Sequence, residues 1–208
     1  ILLGSEFQDY YFEPATKNKH EGYGQAIFSK FPIVNSGTIK KNEFGINRII
    51  YADILKDGDT IRVYNVHLRS FALQNEDKSF IQNPSANTKE DEQATRRVSR
   101  KLKDAFTQRS NQAASLRQQM DETKYPLIVT GDFNDTPMSY SVNLVGRGLN
   151  NAFQEKGSGW GVTHYEMLPL FQIDYILCSK NFAVKNYHVV HRKLSDHYPI
   201  WADLSLIN

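Results

Sequence analysis

The stretch Pro126-Leu127-Ile128-Val129-Thr130-Gly131-Asp132-Phe133-Asn134-Asp135-Thr136-Pro137 decides the reading of this chain. Its opening is apolar and β-branched and too short for a helix, so it reads as a buried strand. The strand runs directly into a carboxylate and an amide. If extended geometry persists, Asp132 and Asn134 face one side, where a carboxylate can take a proton from water while an amide holds that water or a phosphate oxygen. Gly, Asp and Asn also build ordinary turns, and Pro137 follows closely. What lifts the motif above a turn is its company elsewhere in the chain.

Working outward, residues 48–55 and 60–68 are β-branched and aromatic runs separated by Lys56-Asp57-Gly58-Asp59. Asp-Gly between such runs predicts a hairpin. The second run alternates Ile61, Val63, Asn65 and His67, so His67 closes a strand. Residues 24–34, an apolar run closed by Pro32, predict an earlier strand at a sheet edge. Residues 69–95 are polar without a sustained period and read as a long loop. Val98, Leu102, Phe106, Ala113, Leu116 and Met120 then recur at helical spacing with one slip near Arg109, which predicts an amphipathic helix. Residues 172–179, 183–191 and 198–206 predict three further strands, the middle one with Val184, Asn186, His188 and Val190 on one face. Locally connected strands with few crossing helices imply a layered sheet sandwich flanked by helices, not a doubly wound parallel fold, in a single domain over residues 1–208.

Composition narrows the function. A chain of 208 residues, 40% hydrophobic and 12% aromatic, can bury a core. With 25 basic and 23 acidic residues the net charge is +2, so no global field marks a polyanion binder and phosphate recognition must be local. Arg96, Arg97, Arg100, Lys101 and Lys103 crowd the start of the helix and read as a solvated face. The single cysteine, Cys178, excludes an internal disulfide and a cysteine-rich zinc site, and its apolar surroundings predict a buried thiol. No apolar run approaches a membrane span, and Ile1-Leu2-Leu3 lacks the features of a signal peptide, so a soluble domain is expected.

A second motif, Ser195-Asp196-His197-Tyr198-Pro199, supplies the partners. Neighbours on an extended chain point to opposite sides, so Asp196 and His197 must serve different groups. Asp196 reads as an oxygen ligand for a divalent ion. His197 reads as an imidazole facing phosphate and oriented by Asp174, an ionisable residue set within the apolar run Gln172-Ile173-Asp174-Tyr175-Ile176-Leu177.

Taken in order, Gly22-Tyr23-Gly24 through Pro32, Arg48, Asn65-Val66-His67-Leu68, Gly131-Asp132-Phe133-Asn134, Gln172-Ile173-Asp174-Tyr175 and Ser195-Asp196-His197-Tyr198-Pro199 resemble the endonuclease/exonuclease/phosphatase superfamily over residues 22–206. The resemblance implies a four-layered α/β sandwich of the deoxyribonuclease type, with two mostly antiparallel β-sheets face to face and helices outside. It implies phosphoester hydrolysis by water attack at phosphorus, of nuclease or phosphodiesterase/phosphatase type, with Mg²⁺ as cofactor and Mn²⁺ or Ca²⁺ as alternatives. By the same resemblance Asp132 activates the water, Asn134 orients it, His67 and His197 contact phosphate, and Asp174 orients His197. Asp196 helps hold the metal, and Tyr23 and Arg48 touch phosphate. The substrate stays open between nucleic acid and a phospholipid or inositol phosphate. Trp160 and residues 165–171 are candidates for an apolar or stacking rim. No obligate protein partner is evident, and a monomer is expected.

One departure bears on the metal. The superfamily opens with a strand ending in Asn and a strand ending in Gln-Glu, whose Glu is the principal metal ligand. Glu6 and Glu13 lie too close to Tyr23 to match it. Two expectations follow: an N-terminally truncated domain, with those strands and any membrane anchor upstream, or a non-catalytic binding domain on the same scaffold.

Overall fold

The computed structural model describes residues 6–17, 22–39, 46–82, 89–165 and 172–207. Among them, six strands form one mixed sheet in the order β3 (Ile33–Ile39), β4 (Ile49–Lys56), β5 (Asp59–His67), β6 (Leu127–Asp132), β8 (Asp174–Cys178) and β7 (Asn150–Asn151). Two antiparallel pairs, β1 (Asp9–Lys17) with β2 (Gly22–Ser29) and β9 (Phe182–Val189) with β10 (Ile200–Leu206), supply the second layer of strands. The helices are α1 (Asn75–Gln82), α2 (Lys89–Glu122), α3 (Tyr140–Gly146) and α4 (Ala152–Lys156).

The hairpin predicted at Asp57-Gly58 joins β4 to β5, with both residues at positive φ, 54° and 94°, as a two-residue turn matched to strand twist requires. The β5–β6 pair is parallel and every other strand pair is antiparallel. A parallel pair needs a long crossover, and residues 68–126 with α2 provide it.

Strand parity sorts the side chains into two cores. Tyr64, Val66, Leu127, Val129, Tyr175 and Leu177 meet Ala113, Leu116 and Met120 of α2 and Val142 and Val145 of α3. The opposite face sends Ile61, Ile176 and Cys178 against Phe182, Val184 and Tyr187 of β9. His67, Asp132 and Asp174 have the parity of this second face, so the site opens between the two layers of strands. Cys178 is fully buried, and burial pushes its thiol up to about 11.

The structure corrects three sequence expectations. Residues 24–34 are not one strand: β2 ends at Ser29, and Pro32 sits in the turn before β3, its carbonyl accepting from Leu55 N at 3.0 Å. Residues 69–95 are not all loop, because α1 and the start of α2 lie within them. The helical period there is hidden because the residue that α1 buries is a charged one, Asp77, held by Arg97 and Lys101. The single-face alternation expected through Val184, Asn186 and His188 breaks at Lys185, where the register against β10 shifts: Val184 is buried while Asn186 and His188 are exposed. Residues 166–171 of the expected rim lie outside the described residues. No helix among the described residues is long and apolar enough to cross a membrane.

Candidate active site

Register brings the first three groups together. On the parallel ladder His67 pairs with Asp132, and on the antiparallel ladder Asp132 pairs with Asp174, so the three stand abreast on adjacent strands. His67 Nε2 lies 3.6 Å from Asp132 Oδ2. Gly131 makes the line-up attainable: at φ 130°, a Cβ there would stand 2.1 Å from the Val66 carbonyl oxygen.

Asn134 reaches Asp132 by a route other than the one its spacing suggested. β6 ends at Asp132, and Asn134 lies in a left-handed turn at φ 51°, a conformation Asn tolerates better than most residues. There its backbone N–H donates to Asp132 Oδ1 at 2.7 Å, and its amide Nδ2 donates to Asp132 Oδ2 at 2.9 Å and to the Leu68 carbonyl at 3.1 Å. Phe133, wholly buried and edge-on to Tyr175 at 5.0 Å, anchors the turn.

His197 arrives from the segment before β10. Its Nδ1 lies 2.8 Å from Asp174 Oδ2. Thr163 fixes Asp174 from behind, its buried hydroxyl accepting from the Ile173 and Asp174 backbone N–H groups at 3.1 Å each. A short antiparallel bridge pairs His197 with His164, whose rings meet edge to face at 4.8 Å.

The electrostatics divide these groups. Burial, reinforced by the neighbouring Asp174 charge, pushes the Asp132 carboxyl up to about 7. The hydrogen bond to Asp174 raises His197 to about 9 against the opposing effect of burial, so it is an imidazolium at neutral pH. Burial and the charge of His197 lower His67, which is neutral there. A carboxylate poised near neutrality beside a fixed imidazolium is the arrangement that proton abstraction near an anion requires.

Among the described residues, His164, Asp196 and His197 form a donor group that could hold a cation, their ligand atoms all within 4.8 Å of one another and His164 Nε2 3.9 Å from Asp196 Oδ2. His197 Nδ1 is engaged with Asp174, whereas Asp196 offers its carboxylate and His164 its Nε2. A carboxylate plus an imidazole fits a divalent ion, and the imidazole suits transition ions better than Mg²⁺.

The other expected residues lie further out. Arg48 accepts from His67 N through its carbonyl at 2.8 Å, while its guanidinium turns to Glu13 Oε1 at 2.8 Å and the Pro14 carbonyl at 2.9 Å. Tyr23 is exposed on β2, opposite Thr16. Trp160, also exposed, stands beside a cleft lined by Tyr187, His188 and His191, and His191 meets Tyr198 edge-on at 5.0 Å. Sequence reasoning missed Thr163, His164 and Arg109. The first two lie outside any strand, with no alternation to reveal them, and Arg109 appeared only as a slip in a helical stripe.

A mixed sheet of this order, carrying carboxylates and imidazoles at its strand ends, defines an α/β sandwich of the deoxyribonuclease type. Residues 2–197 match the family described as Endonuclease/Exonuclease/phosphatase, and the chain belongs to that family. Similar solved structures include the human Nocturnin catalytic domain with bound sulfate anion, 20% identical, covering 99% of this chain and 75% of that one at a TM-score of 0.65. The 3′ phosphatase NExo from Neisseria, bound to product DNA hairpin, is 19% identical, covering 94% of this chain and 79% of that one at a TM-score of 0.62. A mannosyl-6-phosphatase from Bacteroides thetaiotaomicron is 18% identical, covering 95% and 77% at a TM-score of 0.58. At these identities the likeness shows the fold alone. No curated protein matches the sequence.

Proposed function

We propose that this chain hydrolyses phosphoester bonds by attack of water at phosphorus, with a divalent cation as cofactor. The observation that carries the reading is the line of His67, Asp132 and Asp174 across three paired strands, closed by His197 at 2.8 Å from Asp174. Asp132 takes the proton of the attacking water, and Asn134, bonded to the same carboxylate, holds that water in line. The His197 imidazolium and neutral His67 face the phosphoryl oxygens, and Asp174 keeps His197 charged and oriented. Asp196 and His164 would hold the cation, which when bound supplies positive charge against the oxygens of the transferring group. Tyr23 contacts the substrate phosphate, and Arg48 joins it on exchanging its bonds to Glu13 and the Pro14 carbonyl. Family membership and the phosphatase names of two similar structures support the same reading.

The experiment is hydrolysis of bis-(p-nitrophenyl) phosphate and p-nitrophenyl phosphate across a titration of Mg²⁺ and Mn²⁺, with EDTA as the blank. Turnover is expected to require the cation and to be lost in Asp132→Asn and His197→Ala. Turnover that needs no cation, or that survives both substitutions, would sink the proposal.

A further inference from the structure

Arg109 is the largest fully buried side chain among the described residues, with none of its surface exposed. It lies in the buried stripe of α2 with Ala105 and Ala113 one turn to either side, small neighbours that leave room for it. Its guanidinium is packed over the rings of Phe71 at 4.3 Å and Phe106 at 4.8 Å. Sealing a cation here is costly, and a well-packed apolar residue would serve α2 equally well for stability. What Arg109 does instead is visible in its partners.

Its Nη1 donates to the Arg69 carbonyl at 3.2 Å and to the Asn134 carbonyl. Its Nε lies 3.2 Å from Asp135 Oδ2, an ion pair whose angle falls outside hydrogen-bond geometry. Arg69 belongs to the segment that follows His67, and Asn134 and Asp135 belong to the turn that follows Asp132. One planar cation therefore spans two segments that no strand ladder joins at this point. The two are tied again just above it, where Leu68 N donates to the Asp132 carbonyl at 2.9 Å and Asn134 Nδ2 donates to the Leu68 carbonyl. Asn134 holds a left-handed backbone, so its carbonyl direction, and with it the aim of its side-chain amide at Asp132, depends on what that carbonyl bonds.

We propose that Arg109 is a positioning residue: a buried guanidinium staple that clamps the turn carrying Asn134 to the segment following His67, and so sets the angle at which Asn134 meets Asp132 and the attacking water. Its kinetic consequence rests on the hydrolytic reading, whereas its structural consequence does not. Nη1 alone meets both carbonyls; what arginine adds is the flat face packed over Phe71 and Phe106 and the Nε beside Asp135, which hold Nη1 in place. A lysine keeps the charge but has neither the stacking face nor the second nitrogen, so its ammonium is not held at that point.

The test uses Arg109→Met, Arg109→Lys, Asn134→Ala and the double variant Arg109→Lys/Asn134→Ala, with two readouts. In hydrogen exchange, segments 68–74 and 131–137 of the Arg109 variants are expected to exchange at least about tenfold faster, with β4 and β8 unchanged. In hydrolysis of bis-(p-nitrophenyl) phosphate, Arg109→Lys is expected to lower kcat by roughly 10- to 100-fold with KM within about threefold, since small misplacement of an aligned group costs that much. The double variant should be no slower than Asn134→Ala alone, because the staple acts through Asn134. Should Arg109→Met fail to fold, Arg109→Lys carries both readouts. Uniform acceleration of exchange in all segments, or losses that multiply in the double variant, would overturn the proposal. If the wild-type chain hydrolyses nothing, the hydrolytic reading fails and the exchange pattern still decides the staple.

Discussion

Replacing Asp132 with Asn should stabilise the protein while abolishing its turnover, with a gap in stability that opens as pH rises. Burial and the Asp174 charge raise the Asp132 carboxyl from 3.8 to about 7, and its side chain is only 19% exposed. A rise of that size corresponds to about 4 kcal/mol of ionisation cost in the fold. The sign follows from linkage. Below pH 3.8 the group is protonated folded or unfolded and contributes nothing. From there to about pH 7 the unfolded chain releases its proton first, so wild-type stability falls across that window and the full cost stands above it. Asn removes the ionisation. It keeps one carbonyl for the Asn134 donors and gives up the other, a loss of about 1 kcal/mol. The net expectation at pH 8.5 is a gain of about 3 kcal/mol, or roughly 6–12 °C in Tm for a chain of this size. At pH 4.5 little difference remains. Urea unfolding at pH 4.5, 6.5 and 8.5 in EDTA, followed by tryptophan fluorescence, measures it without a contribution from bound cations. Stability curves that run parallel across this range, or an Asn variant less stable at pH 8.5, would refute the assignment of Asp132 as a buried, charge-crowded base.

Asp174→Asn removes the hydrogen bond that raises His197 to about 9. The alkaline limb of the pH–rate profile should move down by about two units, with turnover at pH 8.5 falling at least about tenfold, and an unmoved limb would count against His197 as the phosphate-facing imidazolium. For stability, this pair contributes fully below pH 6.5 and loses its contribution as pH rises through about 9, so the cost of Asp174→Asn should shrink over that interval. Gly131→Ala should unfold or badly destabilise the chain, by several kcal/mol in urea, since its Cβ would overlap the Val66 carbonyl. An alanine variant with wild-type stability would mean that β6 can straighten without cost. His164→Ala should weaken Mn²⁺ binding in calorimetry about tenfold and leave the melting temperature in EDTA unchanged; equal binding would remove His164 from the cation site.

Local chemistry made much of this protein legible. The Asp57-Gly58 turn, the apolar run before Gly131 and the alternation through Ile61, Val63, Asn65 and His67 all express short-range rules, and the structure places β4, β5 and β6 where those rules put them. The reading weakened wherever charge was buried. Asp77 hid α1, because a helix whose enclosed residue is a carboxylate shows no apolar period. Arg109 looked like a defect in α2 and is its most enclosed large side chain. The bulge at Lys185 reversed the faces of β9, which depends on the register with β10 and leaves no mark in the composition of the strand.

The sequence by itself determined that His67, Asp132 and Asp174 are polar groups set at or within apolar strands. Only the tertiary structure decided that they stand abreast, because register across a parallel and an antiparallel ladder is a long-range choice made by the crossover and the cores on either side. It also placed Asn134 against Asp132 through a left-handed turn instead of through strand alternation, and brought His164 and Arg109 to the site from a loop and a helix. Burial then set the charges, since desolvation and a neighbouring carboxylate, not residue type, bring Asp132 to about 7.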